Sequence, residues 1–314
     1  MNKRGFTLVE MVVAMTIISI IMALSAAAFK RVVLGTRTQT KSVQSGMDKI
    51  MGLGLVRLDL EHVGFGIASD ETSLPIVWNE GAAPVNRKLT LRSTLNNSNQ
   101  DTMGWMLLNC SSGATIGVST IVDRRENAGN KYLVLLDEDK KYVGGATAAS
   151  YVCPAVAGVY SAYPYDNTVT DGCTGSQVCN QVVYELGTTQ SLSSCATGTR
   201  QLLRKVGGGS GVPVLNCVAD FLVRFDLDTN GDGTVDISDD DGTNLPATTA
   251  NVITQVKSIN TYVLMQMGQR DRELTFTGDT TMGGAIPLDN SGVTDFTQYR
   301  WKVLKLSGKP MSWE

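Results

Sequence analysis

Histidine is almost missing from this chain: His62 stands alone among 314 residues. That excludes a His-rich zinc site, and any Ser-His-Asp or Cys-His relay would hang on one side chain. Charged residues make up 18% and the formal net charge is -3, with Lys and Arg scattered. The basic patch of a nucleic-acid binder is therefore lacking. No proline precedes Pro75, so nothing over that stretch must break a helix. Six cysteines fall at Cys110, Cys153, Cys173, Cys179, Cys195 and Cys217, without a CxxC pair among them. The usual zinc and redox spacings are thereby absent.

What is present begins with a long apolar run. Between Arg4 and Lys30 the only charge is Glu10. As a helix this run would extend roughly 37 Å, enough to cross a hydrocarbon core of about 30 Å. It reads as a permanent anchor, as a cleaved secretory signal, or as a segment processed in another way. Lys3 and Arg4 supply the n-region of a signal and Ser25-Ala26-Ala27-Ala28 a cleavage site, but the run is long and carries an acid. Basic residues flank it on both sides, so charge alone leaves the orientation open. An even cysteine count behind an apolar N-terminus fits disulfides in an oxidising compartment, with six buried free thiols as the alternative. Six cysteines allow 15 pairings, and the sequence does not choose among them.

Lys3-Arg4-Gly5-Phe6-Thr7-Leu8-Val9-Glu10 resembles the prepilin signature of type IV pilins and type II secretion pseudopilins. The resemblance implies cleavage between Gly5 and Phe6 by a prepilin peptidase and N-methylation of Phe6. It also implies retention of the apolar helix as membrane anchor and assembly stem. Glu10 would then be the fifth residue of the mature chain. In a filament it could meet the terminal amine of a neighbouring subunit, since buried opposite charges are tolerable only as a pair. The alternative is that Glu10 snorkels to the headgroups.

The helix can continue beyond the membrane. Met47, Met51, Leu55 and Leu58 recur at helical spacing, with Ile50 beside them, and predict the face that packs on the rest of the protein. The stretch from Gly35 to Gly46 is rich in weak helix formers and is expected to bend or loosen. Gly64 and Gly66 predict an end near His62, which reads as a packed or capping residue. Beyond residue 67 the period becomes that of strands, expected at 88–93, 105–110, 115–122, 131–136, 181–186, 201–206, 218–227, 259–267 and 299–306. In VADFLVRFDLD, Phe221, Val223, Phe225 and Leu227 alternate with Asp220, Arg224 and Asp226, predicting one buried face and one mostly wet face. The fold class expected is α+β and pilin-like, a long N-terminal helix on an antiparallel sheet. Its divisions are 1–5 leader, 6–30 transmembrane helix, 31–66 extracytoplasmic helix and 67–314 β-rich domain. A loop-rich, disulfide-bearing insertion falls at about 70–200. The order of QVVYEL, RQLLRKVGG, NCVADFLVRFDLDTNGDGTVD, VKSINTYVLMQMGQRD and QYRWKVLKL is similar to PilW-type minor pilins.

Asp228 to Asp239, DTNGDGTVDISD, fits the template of an EF-hand-type calcium loop. Asp228, Asn230 and Asp232 hold positions 1, 3 and 5, and Gly233 sits at the sharp turn. Thr234 offers its carbonyl at position 7, Asp236 sits at 9 and Asp239 at 12. Asp at 12 has a shorter reach than the usual Glu, and a strand leads in where an EF-hand has a helix. Seven aspartates and no Lys or Arg lie between Phe225 and Val256, so a cation would relieve their repulsion. An ordinary metal-free acidic turn is the other reading.

Together these features point to a structural minor pilin with no enzymatic activity, placed first in the inner membrane with its domain extracytoplasmic and then in an extracellular pilus. Implied partners are prepilin peptidase, other major and minor pilins, and the inner-membrane assembly machinery, in a priming or tip complex. The rivals are a type II secretion pseudopilin, a secreted or anchored calcium-binding adhesin, and a calcium-dependent hydrolase. For the last, nothing in the sequence orients an acid against a base.

Overall fold

A computed structural model describes residues 8–111, 119–130, 132–146, 153–154, 156–168, 172–190, 192–284 and 286–310. The chain divides into two compact units, residues 1–50 and 51–314. Helix α1 occupies Leu8–Glu61. It is helical throughout 35–46, where loosening was expected. The Ser, Thr and Lys residues there each cost only a few tenths of a kcal/mol against alanine, too little to interrupt an established helix. Termination comes as expected, with Gly64 and Gly66 both at positive φ just beyond it.

The strands are β1 (Ile76–Asn79), β2 (Lys88–Ser93), β3 (Met106–Cys110), β4 (Ser119–Asp123), β5 (Leu133–Leu136), β6 (Tyr142–Ala146), β7 (Gly158–Pro164), β8 (Asn180–Leu186) and β9 (Arg200–Val206). They continue with β10 (Val212–Leu227), β11 (Ile237–Asp240), helix α2 (Thr249–Gln255), β12 (Val256–Met267), β13 (Thr281–Met282), β14 (Ile286–Pro287) and β15 (Arg300–Gly308). Every strand expected from the sequence has a counterpart, although residues 112–118 and 131 lie outside the described residues. The main sheet is antiparallel in the order β1-β2-β8-β9-β10-β12-β15, with β11 added to the end of β10. A second antiparallel sheet runs β4-β3-β7-β5-β6. Within the stretch 70–200, β1, β2 and β8 thus belong to the main sheet, and β3 to β7 form a sheet of their own.

The end of α1 lies against the main sheet through Gly52, Val56, Leu60 and the following Val63, at spacings of four, four and three. This corrects the expected face. Met51 is 73% exposed, Ile50 71% and Leu58 43%, while Leu55 is half-buried and the side chain of Met47 lies outside the described residues. Two residues that an apolar pattern discounts turn the helix the other way. A Cβ on Gly52 would stand 2.0 Å from the Val214 carbonyl oxygen, so glycine is what lets the helix backbone meet β10. Asp59 points inward because Arg204 on β9 and Tyr184 on β8 receive it.

Strand β10 needs a second correction. Phe221, Val223, Phe225 and Leu227 face the core beneath α1 as expected. Asp220 and Arg224, expected to be wet, are 0% and 3% exposed. The opposite face of the sheet carries its own core, built on Leu222, Tyr262, Leu264 and Trp301 and closed by residues of the 276–299 segment. The buried charges persist there because each has a counter-ion. Asp220 binds Arg87 and the Asp289 amide, and Arg224 binds Glu80 at 3.1 Å. Burial pushes the Asp220 carboxyl above its usual range, against the pull of Arg87.

All six cysteines are paired: Cys110 with Cys153, Cys173 with Cys179 and Cys195 with Cys217. The first pair ties β3 to the segment before β7. The last joins the loop before β9 to β10, where Cys217 takes a positive φ of 56° at a break in strand register.

Candidate functional site

Two regions carry the features singled out in the sequence. The first is the start of α1. From Leu8 to Ala26 the helix is long and apolar enough to cross a membrane. Its described side chains are exposed, Leu8, Met15, Ile20 and Met22 among them. Two of the three hydroxyls in this stretch bond to their own helix, Thr16 Oγ1 to the Val13 carbonyl at 2.8 Å and Ser19 Oγ to the Met15 carbonyl at 2.7 Å. A helix that satisfies its own polar groups in this way presents hydrocarbon to its surroundings. Glu10 lies in the first turn, where the helix dipole favours a negative charge. Gly5 and Phe6 lie outside the described residues.

The second region is the turn between β10 and β11. Asp228 is sheltered from solvent and accepts the amides of Gly231 at 2.7 Å and Gly233 at 2.9 Å. Both glycines are at positive φ, the conformation that wraps the chain around the carboxylate. Asp236 accepts the amides of Thr229 and Asn230 and, at 3.0 Å, the Asn230 side-chain amide. Asp232 accepts the amide and hydroxyl of Thr234, and these bonds hold its carboxyl below the usual carboxylate range. Asp228, Asn230, Asp232 and Asp236 are therefore folded into one turn.

Asp239 departs from them. It takes a positive φ on β11, donates its amide to Asp226 and accepts the Tyr262 hydroxyl at 3.1 Å. The position that should close a twelve-residue cation loop is thus committed elsewhere. A residue the sequence count missed also enters. Lys257, one place beyond the basic-free stretch, reaches Asp228 at 3.1 Å. Burial raises the Asp228 pKa, but Lys257 and the glycine amides outweigh it and leave the carboxyl below its ordinary value. Among the described residues no three carboxylate, cysteine or histidine side chains converge as they would around a metal ion. In residue type positions 1, 3, 5, 9 and 12 all fit a hard oxygen-seeking cation, but Asp239 at position 12 is placed on Tyr262 and away from the other four.

His62 joins neither region. Its Nδ1 lies 2.8 Å from the Asn97 side-chain oxygen, and the Asn97 amide donates to Asp59 at 2.7 Å. It is a member of a structural network beneath α1, in keeping with a packed histidine.

Comparison with known proteins adds two findings. Residues 1–26 match the prokaryotic N-terminal methylation motif. A type IV-like pilin from Thermus thermophilus is similar over 85% of this chain and 96% of its own, at 10% identity and a TM-score of 0.34, too loose to establish a common fold. No curated protein sequence matches the chain.

Proposed function

We propose that this chain is a minor pilin of the PilW type, a structural subunit of a type IV pilus and not an enzyme. The observation that carries the reading is the N-terminal methylation motif over residues 1–26, joined to an exposed apolar helix from Leu8. Prepilin peptidase would cut between Gly5 and Phe6 and leave a methylated amine at the head of α1. In the membrane the chain would await assembly with its β domain outside. In the filament Glu10 of one subunit would lie against the Phe6 amine of the next, a charge pair that sets the axial register. The disulfides suit an extracytoplasmic domain. Mass spectrometry of the mature N-terminus, on protein from the native membrane, tests this. An N-methylated Phe6 is expected; a terminus near Phe29 would identify an ordinary secretory signal and end the filament reading.

We further infer that the turn at 228–236 takes up calcium in an extracellular setting. The support is the DxNxDG spacing and the hard oxygen donors of Asp228, Asn230, Asp232 and Asp236. The Thr234 carbonyl adds a fifth protein donor. The ion would supply the positive charge that Lys257 now provides at Asp228. With Asp239 held by Tyr262, the site would be an open one of the weak kind, with a Kd of about 0.1 to 1 mM. Adding millimolar calcium to the full chain in detergent should raise its melting temperature, and Asp232→Ala should abolish the rise. A melting curve indifferent to calcium would dismiss the ion.

A further inference from the structure

At one end of the second sheet, three loops enclose a cleft of about 380 Å³. They are the turn before β3, the β4–β5 loop and the turn after β7. Its lining includes Asp101, Asn127, Asn130, Tyr132, Tyr165 and Asp166. Neither region described above includes any of them. The volume lies in the range of small-ligand sites, at its lower end.

Tyr132 and Tyr165 are half-buried, with ring centroids 5.8 Å apart and ring planes at 67°. The Tyr165 amide bonds to the Tyr132 carbonyl, which fixes the two backbones together. Asn130 ties the loops to one another. Its side-chain amide donates to the Asp101 carbonyl at 2.6 Å and to the Tyr165 carbonyl at 3.2 Å, and its side-chain oxygen accepts the Tyr132 amide. Both carboxylates are held in place. Asn127 donates to Asp101 Oδ1 at 2.6 Å. Asn99 donates to Asp166 Oδ2 at 2.8 Å while Thr168 holds Oδ1. A cleft whose polar groups are already ordered spends little entropy when a ligand enters.

The unused capacity defines the ligand. The hydroxyls of Tyr132 and Tyr165, the side-chain amide of Asn167 and Oδ2 of Asp101 have no hydrogen-bond partner among the described residues. An ionised carboxylate only accepts, so Asp101 calls for a donor. The amide and the phenols both donate and accept. The tyrosine faces call for a flat patch of weakly polar C–H groups. Among small ligands, a pyranose presents all three at once, with hydroxyls around its edge and C–H groups on its face. No Lys or Arg is among the described lining residues. The Arg125 guanidinium, which bonds to the Asn130 carbonyl from beside the cleft, is paired with Asp123, so the two lining carboxylates would repel a phosphate, a sulfate or an acidic sugar. A bare cation would satisfy the carboxylates and leave the aromatic faces and amide without a role. We propose that this cleft binds an uncharged hexose unit of a glycan.

The site gives the β3–β7 sheet a function independent of the filament reading, so either can fail without the other. The test is saturation-transfer NMR and titration on the full chain in a zwitterionic detergent, because glycoside detergents would compete. The probes are the methyl glycosides of glucose, galactose and mannose, and N-acetylglucosamine, with N-acetylneuraminic acid as the acidic comparison. At least one neutral sugar should bind, the acidic sugar should not, and Asp101→Asn and Tyr165→Ala should each weaken binding about tenfold. Should Tyr165→Ala fail to fold, Asp101→Asn and Asn167→Ala decide, since both positions are exposed. Absence of binding by every neutral sugar, undiminished binding in the variants, or equal binding of the acidic sugar would each overturn the assignment.

Discussion

Asp59 shows how one residue orients a helix. Its carboxylate receives Arg204 Nε at 2.6 Å, Arg204 Nη2 at 3.1 Å, the Tyr184 hydroxyl at 2.5 Å and the Asn97 amide at 2.7 Å. Both ends of the ion pair are buried, with side-chain exposures of 3% and 5%. Burial, reinforced by the neighbouring carboxylate, drives the Tyr184 pKa well above the usual phenol value, so the hydroxyl stays a donor at any working pH. Burial lowers the Arg204 pKa, but Asp59 more than restores it. Removing one partner of such a pair strands the other charge. Asp59→Ala should therefore destabilise the protein by about 3 to 5 kcal/mol, and the double variant Asp59→Ala with Arg204→Met should recover most of the loss. Denaturant titration of the full chain in detergent reads both; equal instability of the single and double variants would show that packing around Arg204, not charge, dominates.

At the scale of elements, α1 docks through close backbone approach as much as through apolar side chains. Gly52 meets the Val214 carbonyl, and Gly308 on β15 would place a Cβ 2.4 Å from that of Leu60. Neighbouring Gly54 has open space around it. The two glycines should thus respond oppositely to the same substitution. Gly52→Ala must push the helix off β10 and should cost about 1 to 3 kcal/mol. Gly54→Ala adds helix propensity at an exposed position and should stabilise by about 0.5 to 1 kcal/mol. Melting curves of the two variants check this, and a neutral Gly52→Ala would mean that the helix is free to shift. The same contrast explains the mistaken face. Periodicity registers methionine and leucine as packing residues, yet glycine and a paired aspartate occupy the contact, and neither adds to an apolar count. Strands β1, β6, β7, β11, β13 and β14 left no clear sequence signal because they are short or rich in Gly, Pro and Asp. Long apolar runs such as β10 and β12 did leave one.

Over the whole molecule, the parts that local chemistry dictates are legible in the sequence. The apolar run from Leu8, the acid at Glu10, the helix end near His62 and the helix-then-antiparallel-sheet order all follow from composition and period, because transfer free energy and backbone geometry act within a few residues. The six cysteines announced disulfides, but only the fold selected one pairing from 15, since bridging depends on Cα separations of 5.1 to 5.5 Å between residues as much as 43 apart. The acidic turn was visible by spacing, whereas the capture of Asp228 by Lys257 and of Asp239 by Tyr262 required strand β12 to lie beside β10. The tyrosine cleft left no sequence signal at all, because Asp101, Tyr132 and Tyr165 come from three loops that meet only when β3, β5 and β7 pair. By itself the sequence determined where the chain is apolar, where it turns and what its N-terminus can become. Tertiary structure alone decided which charges are buried as pairs, which face of α1 is covered and which distant side chains share a cavity, because those outcomes depend on contacts between segments that no local pattern encodes.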